Sequence, residues 1–132
     1  MNNIDISDKN NSDKFNKKAF GKFGEDMTAN YLTFRFYKII ERNYRKRNAE
    51  VDIIAQKGKT LCFVEVKTRK NAAHGTAAEF VNYAKQQRII KTALYYAGGD
   101  IEMRFDVVEV YYRTVRGERV VTGINHIKNA FC

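Results

Sequence analysis

Asp52, Glu65 and Lys67 are the residues from which chemistry can be built. Asp52 lies in the run Ala49-Glu50-Val51-Asp52-Ile53-Ile54-Ala55, and Glu65 and Lys67 lie in Leu61-Cys62-Phe63-Val64-Glu65-Val66-Lys67. Both runs are apolar and strand-like. Side chains alternate faces along a strand, so Glu65 and Lys67 point the same way. Hydrolysing a phosphodiester means placing water in line with phosphorus and neutralising the charge that develops. Mg²⁺ (or Mn²⁺) does this with few protein ligands, keeping several waters and taking one or two carboxylates. Asp52 and Glu65 on adjacent strands could supply these, and the Val66 carbonyl a third oxygen. Lys67 would then orient the attacking water and stabilise its hydroxide form, since a lysine is a compact donor whose pKa moves readily. Glu25, carried on a helix, could bind a second metal or a water of the first. Each residue has a plainer use. An Asp near a strand end commonly makes a turn or a hydrogen bond, and an exposed Glu-x-Lys pair is worth about 0–1 kcal/mol as an ion pair.

The elements that must position these groups are legible as periodicities. Residues 1–16 are polar and Asn-rich, and a disordered tail is expected there. From Lys17 to Phe36 the spacing is helical, with Phe20, Phe23, Met27, Tyr31 and Phe34 tracing one stripe. A second file runs Glu25, Ala29, Leu32 and Phe36, in which Glu25 is the only charge. Gly21 and Gly24 each cost this helix roughly 1 kcal/mol relative to Ala, which close approach of another backbone would explain. Strands are expected at about Tyr37–Tyr44, Glu50–Gln56 and Thr60–Thr68, with Lys57-Gly58-Lys59 turning the second into the third. Thr76-Ala77-Ala78-Glu79 reads as a capping box opening a second helix to about Ala97, closed by Gly98-Gly99. Two more strands, Glu102–Tyr111 and Arg119 to about Gly123, precede a short tail. The order αβββαββ predicts a single α/β (α+β) domain over residues 17–132, a mixed β-sheet flanked by helices.

Charge narrows the partner. Lys and Arg number 24 against 15 Asp and Glu, a formal +9 with a pI near 9.6. A compact domain so basic is the footprint of a polyanion partner. Arg35, Lys38, Arg42, Arg45, Lys46 and Arg47 are opposed in their stretch only by Glu41, and Tyr37 and Tyr44 interleave with them. Backbone neutralisation with base stacking would use such a stretch, and so would a solvated strand edge. Cys62 and Cys132 are the only cysteines, with no CxxC, so no structural zinc or disulfide is expected and Cys62 reads as a core residue. A cytoplasmic protein follows, since the N-terminus lacks the apolar core of a signal peptide and no run reaches the ~20 apolar residues of a membrane span. His74 reads as a solvated loop residue, His126 has no evident partner, and Asp106 is structural, pairing with Arg104 or a helix.

Taken in order, Gly21, Gly24 and Glu25 with Ala29 and Tyr31, then Arg42-Asn43, Glu50-Val51-Asp52-Ile53-Ile54-Ala55, Phe63-Val64-Glu65-Val66-Lys67-Thr68-Arg69, Arg104-Phe105-Asp106-Val107-Val108 and Ile127-x-Asn129-Ala130-Phe131 resemble the YraN family of small bacterial proteins. That family is similar to archaeal Holliday-junction resolvases and to the PD-(D/E)XK nuclease superfamily. The resemblance covers about Ala19 to Phe131. It implies a restriction-endonuclease-like fold, a Mg²⁺ or Mn²⁺ site at Glu25, Asp52, Glu65 and Lys67, and DNA as partner, with branched DNA as substrate and a homodimer as assembly. Lys85 matches a family lysine near the site and, with Arg69, is a candidate for phosphate contact beside Arg42, Arg45, Lys46 and Arg47. Ala49 stands where the family usually has Gly. A catalytically silent nucleic-acid-binding protein with the same fold remains the alternative, and a basic protein docking on an acidic protein or on ribosomal RNA a third.

Overall fold

The computed structural model describes residues 6–47, 49–70 and 81–131, with side chains from residue 19 onward. A long helix α1 (Ile6–Phe34) leads into β1 (Lys38–Lys46), β2 (Ala49–Lys57) and β3 (Thr60–Lys70). Helix α2 (Tyr83–Ala97) precedes β4 (Glu102–Val115) and β5 (Glu118–Ile127). The five strands form one sheet in the order β1-β2-β3-β4-β5. All neighbours are antiparallel except β3 and β4, which run parallel. A parallel pair requires a crossover, and the chain through α2 supplies it. The mixed sheet with helices and the order αβββαββ are those expected from the sequence.

Burial on both faces explains why β3 is an unbroken apolar run. Leu61 and Phe63 face one side, where they pack with Ile89 and Ala93 of α2, Val51, Ile54, Phe105 and Phe131. Cys62 and Val64 face the other, with Leu32 of α1, Tyr37, Ile53, Ala55, Val108 and Val110. Phe23, Met27 and Tyr31 of the expected stripe pack against this second layer. Phe34, assigned to the same stripe, is 86% exposed. The helix ends at that residue, Phe36 adopts φ 70, and the chain doubles back so that the Tyr37 N–H bonds Leu32 O at 2.9 Å.

Beyond β1, β3 and β4, which run two to four residues past expectation, three element bounds differ from it. Helix α1 starts at Ile6, so residues 6–16, expected to lack structure, are helical. Neither Gly nor Pro interrupts the chain between Ile6 and Phe20, and an established helix gains one bond for each residue it adds. Helix α2 begins at Tyr83, its N-cap being Asn82, whose side chain accepts from Lys85 N at 2.9 Å. The capping box at Thr76–Glu79 and His74 lie outside the described residues. Gly98 closes α2 at φ 66, donating its N–H to Leu94 O. Strand β5 continues through Ile124–Ile127, expected as a tail, because each of its polar residues there has a partner on β4. Asn125 donates to Glu109 Oε1 at 2.9 Å, and His126 Nε2 lies 2.7 Å from Asp106 Oδ2.

Asp106 is fully buried and is the hub of this side of the molecule. Arg104 Nη2 reaches its Oδ2 at 2.8 Å and the Tyr37 hydroxyl at 2.6 Å, while the Asn129 N–H donates to Oδ1 at 3.0 Å. Burial disfavours the charge, but the bonds from His126, Arg104 and Asn129 outweigh it and hold the carboxyl down at about 2. Asp106 is thus structural, pairing with Arg104 as expected, and His126 has partners that the sequence did not reveal.

Candidate active site

Strands β2 and β3 are joined by the two-residue turn Gly58-Lys59, with Gly58 at φ 58 and Lys57 opposite Thr60. Counted back from that turn, Ile53 faces Val64, the last pair of the ladder. The next step sets Asp52 opposite Glu65, which is how thirteen positions of sequence bring two carboxylates to one face. There the Val66 N–H donates to Asp52 Oδ2 at 2.8 Å. The carboxyl groups of Asp52 and Glu65 line one hollow and act on each other through charge. Burial, and then the charge of Glu65, pushes Asp52 up to about 8, with Glu25 adding to the effect and the Val66 amide opposing it.

Two ammonium groups converge on the same oxygen. Lys85 Nζ donates directly to Glu65 Oε1, and Lys67 Nζ lies 3.6 Å from it. Glu65 is buried, whereas both lysines are partly open to solvent. Asp52, Glu65 and Lys85 line a cavity of about 200 Å³ together with Ala49, Glu50, Arg88 and Ile89.

Glu25 reaches this region because α1 comes unusually close to β3. A Cβ built on Gly24 would lie 1.9 Å from Thr68 Oγ1, so only glycine permits the approach. Gly21 has nothing within 4 Å, so close approach does not account for it. Burial raises the Glu25 carboxyl above its ordinary range, with a hydrogen bond to Asn43 and the charge of Arg42 acting against that. Asn43 sits at φ 54, a left-handed conformation that Asn adopts more readily than most residues. Arg42 bridges Glu25 at 3.7 Å and Asp26 at 2.6 Å.

Among the described residues, no three His, Cys, Asp or Glu side chains converge as a metal cluster. What the strands present is a carboxylate pair, with Glu25 acting on it through charge. Hard oxygen donors in that number suit Mg²⁺, which takes one or two carboxylates and keeps its waters. The raised pKa of Asp52, caused by burial and then by the charge of Glu65, marks the same place as short of positive charge.

The expected phosphate contacts are dispersed. Arg45 pairs with Glu50 at 3.4 Å, Arg47 is exposed at φ 54, and Arg69 Nε lies 3.1 Å from Glu109 Oε2 further along β3. Lys46 donates to the Tyr95 hydroxyl at 3.0 Å. The aromatics expected to stack on bases turn inward instead. Tyr37 is buried and bonded to Arg104, and Tyr44 packs edge-on against Tyr96 at 5.1 Å. The exposed aromatic here is Tyr95, and with Arg88 and Lys91 it is absent from the sequence-based set. A signal for them existed: Lys85, Arg88, Lys91 and Tyr95 recur at three, three and four residues, one face of a helix.

The family model described as "Uncharacterised protein family UPF0102" matches residues 24–110, a span that contains all the residues of the carboxylate site. A UPF0102 protein of Caldicellulosiruptor bescii is 43% identical over 121 residues, 88% of this chain and 99% of that protein. One of Clostridioides difficile is 42% identical over 88% of this chain and 99% of its own length. One of Caldanaerobacter subterraneus subsp. tengcongensis is 40% identical over 89% and 98%. Among the described residues, no helix is long and apolar enough to cross a membrane.

Proposed function

The chain belongs to the Uncharacterised protein family UPF0102, and from the paired carboxylates at the ends of β2 and β3 we propose that it is a Mg²⁺- or Mn²⁺-dependent endonuclease acting on DNA, with branched or otherwise structured DNA as substrate. The observation that carries this reading is the strand register that brings Asp52 and Glu65 to one cavity, beside the ammonium groups of Lys67 and Lys85. Asp52, Glu65 and the Val66 carbonyl would hold the ion, and Glu25 a water of it or a second ion. When bound, the ion supplies acidification of water and neutralisation of phosphate charge. Asp52 would hold such an ion in its ionised form. Lys67 orients the attacking water, and Lys85 leaves Glu65 to contact a phosphate oxygen. The formal charge of +9 draws the polyanion to the surface.

A specific observation favours a second reading, a catalytically silent nucleic-acid-binding protein. The Lys85 ammonium already neutralises Glu65, and among the described residues no three acids converge as a metal cluster. The two readings part in one experiment. Linear duplex, single strand, flap and four-way junction are incubated with Mg²⁺ or Mn²⁺ and with wild type, Asp52→Ala or Lys67→Ala. The endonuclease requires metal-dependent cutting that both substitutions abolish in folded protein. Salt-sensitive binding without cutting, unchanged by either substitution, would overturn it in favour of the silent protein.

A further inference from the structure

A second cavity, of about 300 Å³, lies between the end of β1 and the exposed face of α2. Lys46, Arg47, Arg88 and Lys91 surround it with four cations, and Ala49, Thr92 and Tyr95 complete its wall. Ala49 and Arg88 also line the carboxylate cavity, so the two spaces are neighbours that share these residues. The contrast in charge is sharp. One side presents Glu50, Asp52 and Glu65 with Lys85 and the shared Arg88, and the other, among the described residues, presents four cations and no carboxylate.

The ring in this wall is held in place and open to solvent. Tyr95 is 62% exposed, and the Lys46 ammonium lies 4.2 Å from its ring centre while bonding its hydroxyl. Ala49 and Thr92 complete the lining. Four cations and one exposed ring suit a nucleotide, whose phosphate is anionic and whose base is flat. About 300 Å³ is the small end of ligand-pocket volumes, which run to roughly 1,000 Å³, and it matches one nucleotide rather than a longer stretch. Lys85, Arg88, Lys91 and Tyr95 share one face of α2 over ten residues, ~15 Å of helix, enough to follow a strand past the carboxylates.

We propose that this cavity is a subsite for one unpaired nucleotide of the strand lying in the carboxylate site. The inference rests on the nucleic-acid reading above and deepens it. Arg88 and Lys91 take the phosphate, Lys46 and Arg47 close over it, and Tyr95 packs against the base. An unpaired base is required because a base inside a duplex offers only its edges, its faces being stacked. Arg88, shared by the two cavities, is a positioning residue that fixes where the neighbouring phosphate meets Asp52 and Glu65.

The test is binding without turnover, so that it does not depend on cleavage. Short fluorescent single-stranded and duplex oligodeoxynucleotides are titrated in EDTA over a range of KCl. Proteins compared are wild type, Tyr95→Ala, Tyr95→Phe, Arg88→Ala with Lys91→Ala, and the exposed charge control Arg113→Ala on β4. Tyr95→Ala is expected to weaken single-strand binding roughly 5- to 150-fold, and Tyr95→Phe by no more than ~2-fold, since stacking needs the ring and not the hydroxyl. The double substitution should lower the salt slope by about 0.7, the share of the one phosphate that Arg88 and Lys91 hold on a single strand, and Arg113→Ala should leave it unchanged. All substituted residues are exposed, and circular dichroism confirms folding. If wild type binds DNA and these variants bind as well as it does, the subsite is overturned while the DNA reading stands. Equal losses on duplex and single strand overturn the unpaired nucleotide. Failure of wild type to bind any oligonucleotide overturns both.

Discussion

Asp52 and Glu65 bring two carboxyl groups to one hollow under little solvent, and the proton that Asp52 retains there governs both stability and chemistry. In the unfolded chain Asp52 loses its proton near 3.8, whereas in the fold burial and Glu65 delay the loss to about 8. Below about pH 4 the group is protonated in either state and costs nothing. Between those values the folded chain binds a proton that the unfolded chain has released, so stability falls as pH rises, and the loss is complete above about 8. Asp52→Asn keeps an acceptor for the Val66 N–H and removes the charge. Proton affinity counts about 1.4 kcal/mol per tenfold change, so this substitution should stabilise the fold by ~2 kcal/mol or more at pH 9 and by little at pH 4. Urea unfolding of both proteins across that range measures it. A stability difference that does not grow with pH would show that burial and Glu65 do not hold the Asp52 proton in the fold.

At the scale of elements, one glycine and one buried acid decide how the pieces meet. Gly24 lets α1 rest on β3 at Thr68, whereas nothing packs on Gly21. Gly24→Ala should therefore cost ~1–3 kcal/mol by overpacking and displace Glu25. Gly21→Ala should gain ~0.5–1 kcal/mol from helix propensity alone. Urea midpoints of the two variants should move in opposite directions, and Thr68→Ala should recover part of the first loss. Asp106 ties β4 to β5 through His126, to the chain before β1 through Arg104 and Tyr37, and to the C-terminal turn through Asn129. Asp106→Ala leaves Arg104 without its buried partner and should cost ~3–5 kcal/mol. The depressed pKa of Asp106 gives stability that is present above its ordinary 3.8 and lost as pH falls toward about 2, an acid limb that this variant lacks. The strands around the site were legible because alternation and a Gly turn are local signals, and Asp52, Glu65 and Lys67 followed from strand parity. The extent of β5 was not, since Asn125 and His126 look like loop residues until Glu109 and Asp106 are set opposite them.

For the whole molecule, a chain of formal charge +9 is folded around a small acidic hollow. The sequence showed the excess of cations but not which ones remain available. Arg42, Arg45 and Lys85 are paired with carboxylates, and Tyr37 and Tyr44 are turned inward, all through contacts between residues far apart in the chain. The same long-range pairing sets the last expectation. Any ion that binds only the folded chain raises its stability, by about 2.7 kcal/mol at a hundred times its dissociation constant. For a chain of this size that corresponds to a rise in Tm on the order of 10 °C. Mg²⁺ should produce such a rise in wild type at pH 8, where Asp52 can release its proton, and none in Asp52→Asn, with KCl of equal ionic strength as the control. Lys85→Met removes the ammonium that competes for Glu65 Oε1, so its rise should exceed that of wild type at the same Mg²⁺ concentration. A flat melting temperature in wild type and in Lys85→Met between pH 7 and 9 would mean that the pair binds protons and lysine but no metal, leaving the silent nucleic-acid-binding protein as the reading that stands.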